Sequence, residues 1–265
     1  MRNGSNPIGI FDSGLGGLTV LREIEKILPQ ENIVYFGDTA RLPYGSKSKN
    51  AIIKFSTQNV LFLLKKKVKM VVIACNTSSS LALDYLKSVF RVPVLGVIDA
   101  GVQKAVMVSG SKKIAVIGTK STIGSGSYQR RINALDRDIK VYAKACPLFV
   151  PLAEEGLTKG EIVSNTVRMY LKSIRGKVDT LILGCTHYPI LKNAIAAYLK
   201  GVYMVDSAKE VAFKTKVILE ENSLINKTYA VPRKEFYVTD EPKEFMKMAR
   251  IFLKRQVNKP RVVNV

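Results

Sequence analysis

Short apolar runs rich in Val, Ile and Leu recur along this chain, with segments of helical periodicity between them, and that alternation limits the fold more than any other feature. The runs occupy 8–11, 33–36, 70–74, 94–97, 114–117, 140–143, 180–183 and 202–205. Helical patterns fill intervals such as 17–27, 51–64, 81–90 and 161–174. A strand that is apolar on both faces and is followed by an amphipathic helix belongs to a βαβ unit, so the predicted class is α/β with mainly parallel sheets.

A second regularity is superimposed on the first. The run Ile114-Ala115-Val116-Ile117-Gly118-Thr119 resembles Ile8-Gly9-Ile10-Phe11-Asp12-Ser13, and Ser13 and Thr119 lie 106 positions apart. Val71-Val72-Ile73-Ala74-Cys75-Asn76 likewise resembles Leu181-Ile182-Leu183-Gly184-Cys185-Thr186, and the two cysteines lie 110 positions apart. Similarity between apolar strands is cheap; a cysteine at the carboxyl end of the corresponding strand in both copies is less so. Two similar α/β domains are therefore expected. The tail reads as a helix over 208–220, a strand over 235–238 and a helix over 242–253 that return to the first copy. The expected division is 1–98 together with 208–265 as one discontinuous domain, and 99–207 as the other.

The three cysteines, Cys75, Cys146 and Cys185, are odd in number and widely spaced, and His187 is the only histidine. Neither a disulfide framework nor a zinc site is expected from such a set. No apolar run approaches the roughly 18 residues of a membrane span, and the N-terminus has no signal-type apolar stretch, so a cytoplasmic protein with free thiols is expected. The balance of 42 basic against 21 acidic residues gives a net charge of +21. That excess attracts anions of any kind and specifies none of them.

Four short constellations carry chemistry. Asp12-Ser13-Gly14-Leu15-Gly16-Gly17 follows a strand and opens a helix, which suits either an anion held on backbone amides or a tight turn capped by Asp12. It has neither the G-x-G-x-x-G spacing nor a Walker loop, so it gives nucleotide binding little support. Pro43-Tyr44-Gly45-Ser46 is a turn that carries a phenol. Cys75-Asn76-Thr77 and Gly184-Cys185-Thr186-His187-Tyr188-Pro189 each follow an apolar strand, where ligands collect in open α/β sheets. A free cysteine is by default a small buried hydrophobe, and Cys146, without such polar neighbours, is read as structural. Cys75 and Cys185 each stand beside hydrogen-bonding side chains, in matching positions of two copies. His187 is either a satisfied structural residue or a group that adjusts the Cys185 thiol. Glu154 is kept as an auxiliary candidate beside the alternative of an ordinary helix-start acid.

Two facing thiols have a chemical use. Inverting a stereocentre by proton transfer needs a base on one face of the carbon and an acid on the other, with the roles exchanged for the reverse reaction. A thiol, with an ordinary pKa of about 8.5, serves in either role once its neighbours tune it.

Taken together and in order, D-S-G-x-G-G at 12–17, P-Y-G-x-[KS]-x at 43–48, C-N-T at 75–77 and G-C-T-H-Y-P at 184–189, with the G-T-x-x-T element of Gly118, Thr119 and Thr122 also present, resemble the glutamate racemase family over nearly the whole chain. The resemblance implies two α/β domains with the active site in the cleft between them, and no cofactor, neither pyridoxal phosphate nor metal. It implies that Cys75 removes the α-proton of D-glutamate and Cys185 that of L-glutamate. Substrate contacts are implied at Asp12, Ser13, Tyr44, Gly45, Asn76, Thr77, Thr119, Thr122, Thr186 and His187. Asp12 is then auxiliary to Cys75, and Glu154 with His187 to Cys185. The implied role is supply of D-glutamate for bacterial peptidoglycan, with glutamate as the small-molecule partner and a homodimer as the expected assembly.

Aspartate and hydantoin racemases share the two-cysteine architecture and are the nearest alternatives, but G-C-T-H-Y-P beside D-S-G-x-G-G favours glutamate. The competing class is a nucleic-acid-binding protein, suggested by charge alone. The chain has no helix-turn-helix, RNP or zinc-finger pattern, so nucleic acid is expected only through non-specific attraction.

Overall fold

The computed structural model describes residues 3–265, and in it every run read above as a strand forms one. The strands are β1 Ile8–Asp12, β2 Ile33–Gly37, β3 Met70–Ile73, β4 Val94–Gly96, β5 Lys113–Gly118, β6 Lys140–Ala145, β7 Thr180–Gly184, β8 Tyr203–Val205, β9 Lys234–Val238 and β10 Arg261–Val262. Between β1 and β5 lie α1 Leu18–Ile27, α2 Lys49–Lys65, α3 Asn76–Leu81, α4 Leu83–Val89 and α5 Ile98–Val108. Then come α6 Lys120–Gly124, α7 Ser127–Leu135, α8 Phe149–Glu154, α9 Glu161–Leu171, α10 Lys192–Tyr198, α11 Ser207–Glu221 and α12 Pro242–Leu253.

Two sheets result, and the strand pairings within them are parallel. The six-stranded sheet runs β10-β9-β2-β1-β3-β4 and the four-stranded sheet β6-β5-β7-β8. The segment β2-β1-β3-β4 therefore has the same order as β6-β5-β7-β8, so the resemblance between the two copies extends from local sequence to topology. Registers agree as well: Phe11 stands beside Ile73 in one sheet and Ile117 beside Leu183 in the other. Central strands β1, β3 and β7 are buried along their whole length, as parallel strands covered on both faces must be. Late in the chain, β9 pairs with β2 from Ile33↔Lys234 to Gly37↔Val238, which carries the tail back to the first sheet.

One element differs from expectation in a way that bears on the site. The periodicity predicts a helix over 81–90, whereas the chain turns helical directly after Cys75, breaks at Ala82 and resumes as α4. The polar run Asn76-Thr77-Ser78-Ser79-Ser80 hides α3 because its buried face is built from hydroxyls rather than from apolar side chains. Ser79 shows why: its hydroxyl donates to Ile73 O at 3.1 Å and accepts the Val97 amide at 3.2 Å, so the helix is anchored by hydrogen bonds across the sheet. The two-residue edge strand β10 is too short to leave a pattern.

Candidate active site

In the first sheet, β1 and β3 end side by side, and the residues just beyond them build one wall. Asp12 is fully buried and its Oδ2 accepts the amides of Gly14 and Gly17, each at 3.1 Å. Gly17 has to be glycine, because a Cβ there would stand 2.6 Å from Asp12 Cβ. Asp12 Oδ1 is buried without a protein partner, and burial raises the carboxyl above its ordinary range, against the charge of His187 and the backbone amides. Cys75, 5% exposed, caps the amino end of α3. Burial, and then the nearby Asp12 carboxylate, push its thiol up to about 11, against hydrogen bonding to Ser78 and Ser13. Cys75 therefore rests as a neutral thiol at neutral pH.

The other wall comes from the second sheet. Cys185 follows β7 directly and its Sγ lies 3.7 Å from His187 Nδ1. On the far side of the ring, His187 Nε2 approaches Glu154 Oε1 of α8 at 3.3 Å, off the line of a hydrogen bond, so this is a contact between charges. Burial works against the imidazolium, but contact with Cys185 and Glu154 outweighs it and raises His187 to about 10. These contacts favour the charged form of the ring. Cys146 is fully buried in the core that also holds Cys185, its carbonyl accepts the Tyr188 phenol at 2.8 Å, and burial raises its thiol to about 12, as fits a structural cysteine.

The two walls are joined by contacts that no local pattern announces. Thr77 Oγ1 lies 3.1 Å from both Thr119 Oγ1 and Thr122 Oγ1, and those two lie 2.9 Å apart, forming a triangle of hydroxyls across the seam. Ser121 donates to the carbonyl of Gly45 or of Lys47, each at 3.0 Å, which fastens the Pro43–Ser46 turn to α6. Gly45 itself packs so closely that a Cβ would stand 2.5 Å from Thr119 Cβ. Tyr44 donates its phenol to Asp38, accepts the Asn59 amide at 3.2 Å, and is thereby set as a rigid wall.

Between the walls lies a cavity of about 330 Å³. All the residues proposed from sequence line it except Asp12 and Thr122. Asp12 stands behind Cys75, and Thr122 behind Thr77 and Thr119, so the cavity is lined by their neighbours and not by these two expected substrate contacts. The cavity also has members that sequence reasoning missed. Leu42 and Lys120 stand next to recognised motif residues and were findable by proximity, and Pro43 and Ser46, of the turn named above, line the cavity too. Pro147, Val150 and Pro151, an apolar edge supplied by α8 and the turn before it, carried no signal of chemistry. Among the described residues no group of three His, Cys, Asp or Glu side chains is placed to hold a metal ion. No helix among them is long and apolar enough to cross a membrane.

Known proteins resemble this chain over nearly its whole length. The family model for Asp/Glu/hydantoin racemases matches residues 8–214. A glutamate racemase of Geobacter metallireducens is 46% identical over 248 residues, 93% of this chain and 92% of the relative. Among solved structures, glutamate racemase from Francisella tularensis in complex with D-glutamate superposes with a TM-score of 0.93 at 41% identity, covering 98% of each chain. Glutamate racemase isoform RacE1 from Bacillus anthracis gives 0.95 at 36% identity over 99% of each. Matches of this extent, over both sheets and the residues between them, show that the chain belongs to the Asp/Glu/hydantoin racemase family and, within it, groups with the glutamate racemases.

Proposed function

We propose that this chain interconverts L-glutamate and D-glutamate without a cofactor, with Cys75 and Cys185 as the two proton-transfer groups. One observation carries the reading: both thiols are buried, each lies at the carboxyl end of the corresponding strand of two matched sheets, and both open on one cavity. Starting from L-glutamate, Cys185 takes the α-proton and Cys75 delivers one to the opposite face; from D-glutamate the roles exchange. Cys75, held neutral by burial, is ready to donate in the first direction. Asp12 is its auxiliary group, and His187 with Glu154 serves Cys185.

Removing an α-proton leaves charge on the carboxylate, which positioned donors must stabilise. The hydroxyls of Ser13, Thr77, Thr119 and Thr186, the Asn76 amide and the Gly45 backbone surround the cavity and suit an amino acid with two carboxylates. Such a site rejects a shorter ligand that leaves buried polar groups unpaired, so glutamate is the substrate and aspartate is not. In this reading the chain divides into a discontinuous domain of 1–98 with 208–265 and a second of 99–207, so that each thiol belongs to a different domain. We place the enzyme in the cytoplasm as a homodimer, supplying D-glutamate to peptidoglycan synthesis.

The test is chiral chromatography of L-glutamate incubated with the tag-free protein, before and after exhaustive chelation. Equal amounts of the two enantiomers at the end point, with and without chelator, are expected. Failure to form D-glutamate, or comparable turnover of L-aspartate, would overturn the assignment.

A further inference from the structure

The loop bearing Cys185 and His187 leaves the second sheet, yet much of what encloses the His187 ring comes from elements of the first. Gly16 is one such group, because a Cβ on it would stand 2.3 Å from Thr186 Oγ1 and 2.9 Å from His187 Nδ1. The other is Phe252, near the carboxyl end of α12 and 2% exposed. Its ring meets the imidazole edge to face, with centroids 6.2 Å apart and planes at 84°. Phe252 is itself pinned: Arg22 Nη1, from α1, donates to its carbonyl at 3.0 Å. The helix that Arg22 belongs to begins just after Gly16, so the loop before α1 and the end of α12 flank the imidazole and are tied to each other through Arg22.

Three polar groups also face His187. Cys185 Sγ faces Nδ1, Glu154 faces Nε2, and the Asp12 carboxylate is close enough to act on the ring through its charge. None of the three fixes the ring plane closely, since the sulfur contact is long and the carboxylate contact is misaligned. An aromatic ring packed edge to face does so, and it also keeps water away from that side.

We propose that Phe252 is a positioning residue for the proton transfer, an aromatic stop that holds His187 in line with the Cys185 thiol and thereby ties the C-terminal helix to one of the two thiols. The proposal rests on the reading of Cys185 and His187 given above. Its effect is one-sided, because Cys75 is set by Asp12, Ser13 and Ser78 and not by α12.

The test compares Phe252→Leu with Phe245→Leu. Phe245 lies on the same helix, is fully buried and packs on Tyr35 and Phe236 with centroids 5.9 and 5.7 Å away, so its loss reports damage to α12 in general. Two readouts are taken: steady-state racemisation of glutamate, and titration of His187, the chain's only histidine, by NMR. Phe252→Leu should lower kcat by about ten- to a hundredfold, as small misplacement of a reacting group does, with KM within about twofold. It should also move the His187 midpoint down towards the ordinary 6.5, because water then screens the contacts with Cys185 and Glu154. Phe245→Leu should lower the melting temperature and leave kcat and the midpoint unchanged. The proposal is overturned if Phe252→Leu keeps the original kcat and midpoint, or if Phe245→Leu reproduces both changes. If the unsubstituted protein racemises no glutamate, it is the functional reading that falls, while the titration still decides whether Phe252 holds His187.

Discussion

Tyr128, on α7 beneath the second sheet, donates its phenol to Asn76 Oδ1 at 2.6 Å, so the residue next to Cys75 is held by the half of the molecule that carries Cys185. Both side chains are buried. Replacing Tyr128 with Phe leaves the Asn76 oxygen without this donor, and an unsatisfied buried acceptor costs about 1–3 kcal/mol. Urea denaturation of Tyr128→Phe should show a loss of that size, with a lower kcat/KM for glutamate. An unchanged denaturation midpoint would mean that the bond contributes nothing across the seam.

The thiols make a sharper case. Cys75→Ser and Cys185→Ser should each lower racemisation by at least about 10² to 10⁴, the usual worth of a positioned acid or base, since a hydroxyl is a far weaker acid than a thiol. Cys146→Ala should keep its activity per folded molecule. In deuterated water the inverted product should carry deuterium at the α-carbon, because the delivered proton comes from the opposite thiol. Cys75→Ser should retain more α-hydrogen exchange with L-glutamate, and Cys185→Ser more with D-glutamate. Full activity in either single variant would end the two-thiol mechanism.

Glycine substitutions separate close approach from mere flexibility. At Gly16 an added methyl would stand 2.3 Å from Thr186 Oγ1, so Gly16→Ala must displace the Cys185 loop, and a misplaced catalytic group costs about a hundredfold in rate. At Gly124, within α6, nothing lies within 4 Å. Gly124→Ala should therefore stabilise the fold by about 0.5–1 kcal/mol through reduced freedom of the unfolded chain, with activity retained. Thermal melts and glutamate assays on the pair check both outcomes.

A single histidine makes the charge at the site directly measurable. His187 should stay protonated up to about pH 10 in the NMR titration, because Cys185 and Glu154 favour the imidazolium more than burial disfavours it. The sign for the variants follows: Glu154→Gln removes a negative neighbour and Cys185→Ser removes the sulfur contact, so each should lower the midpoint. A midpoint near 6.5 in the unsubstituted protein would show that the ring is neutral at the active site and would remove its proposed effect on Cys185.

Much of this site could be read along the chain because its carriers are local. Strands β1, β3, β5 and β7 announce themselves as continuous apolar runs, and Ser13, Cys75, Thr119 and Cys185 lie at or within two residues of their carboxyl ends. Helix α3 escaped because serines and threonines build its buried face, and periodicity of apolar residues is blind to a helix satisfied by hydrogen bonds. The apolar edge at Pro147, Val150 and Pro151 escaped for the opposite reason: such residues look like ordinary core.

By itself, then, the sequence determined the parallel α/β class, the repetition of one topology, the pair of thiols at equivalent strand ends and the polar residues beside them. Each depends on neighbours a few positions apart, where strand and helix periods are set by backbone geometry. Only the tertiary structure decided which groups meet across the seam: the hydroxyl triangle of Thr77, Thr119 and Thr122, the bond from Tyr128 to Asn76, the press of Gly16 on Thr186 and of Phe252 on His187. Apart from Thr119 and Thr122, which share one helical turn, those partners are far apart in the chain and share no period. What brings them together is the packing of one sheet with its helices against the other, and that is a property of the whole folded surface rather than of any segment in it.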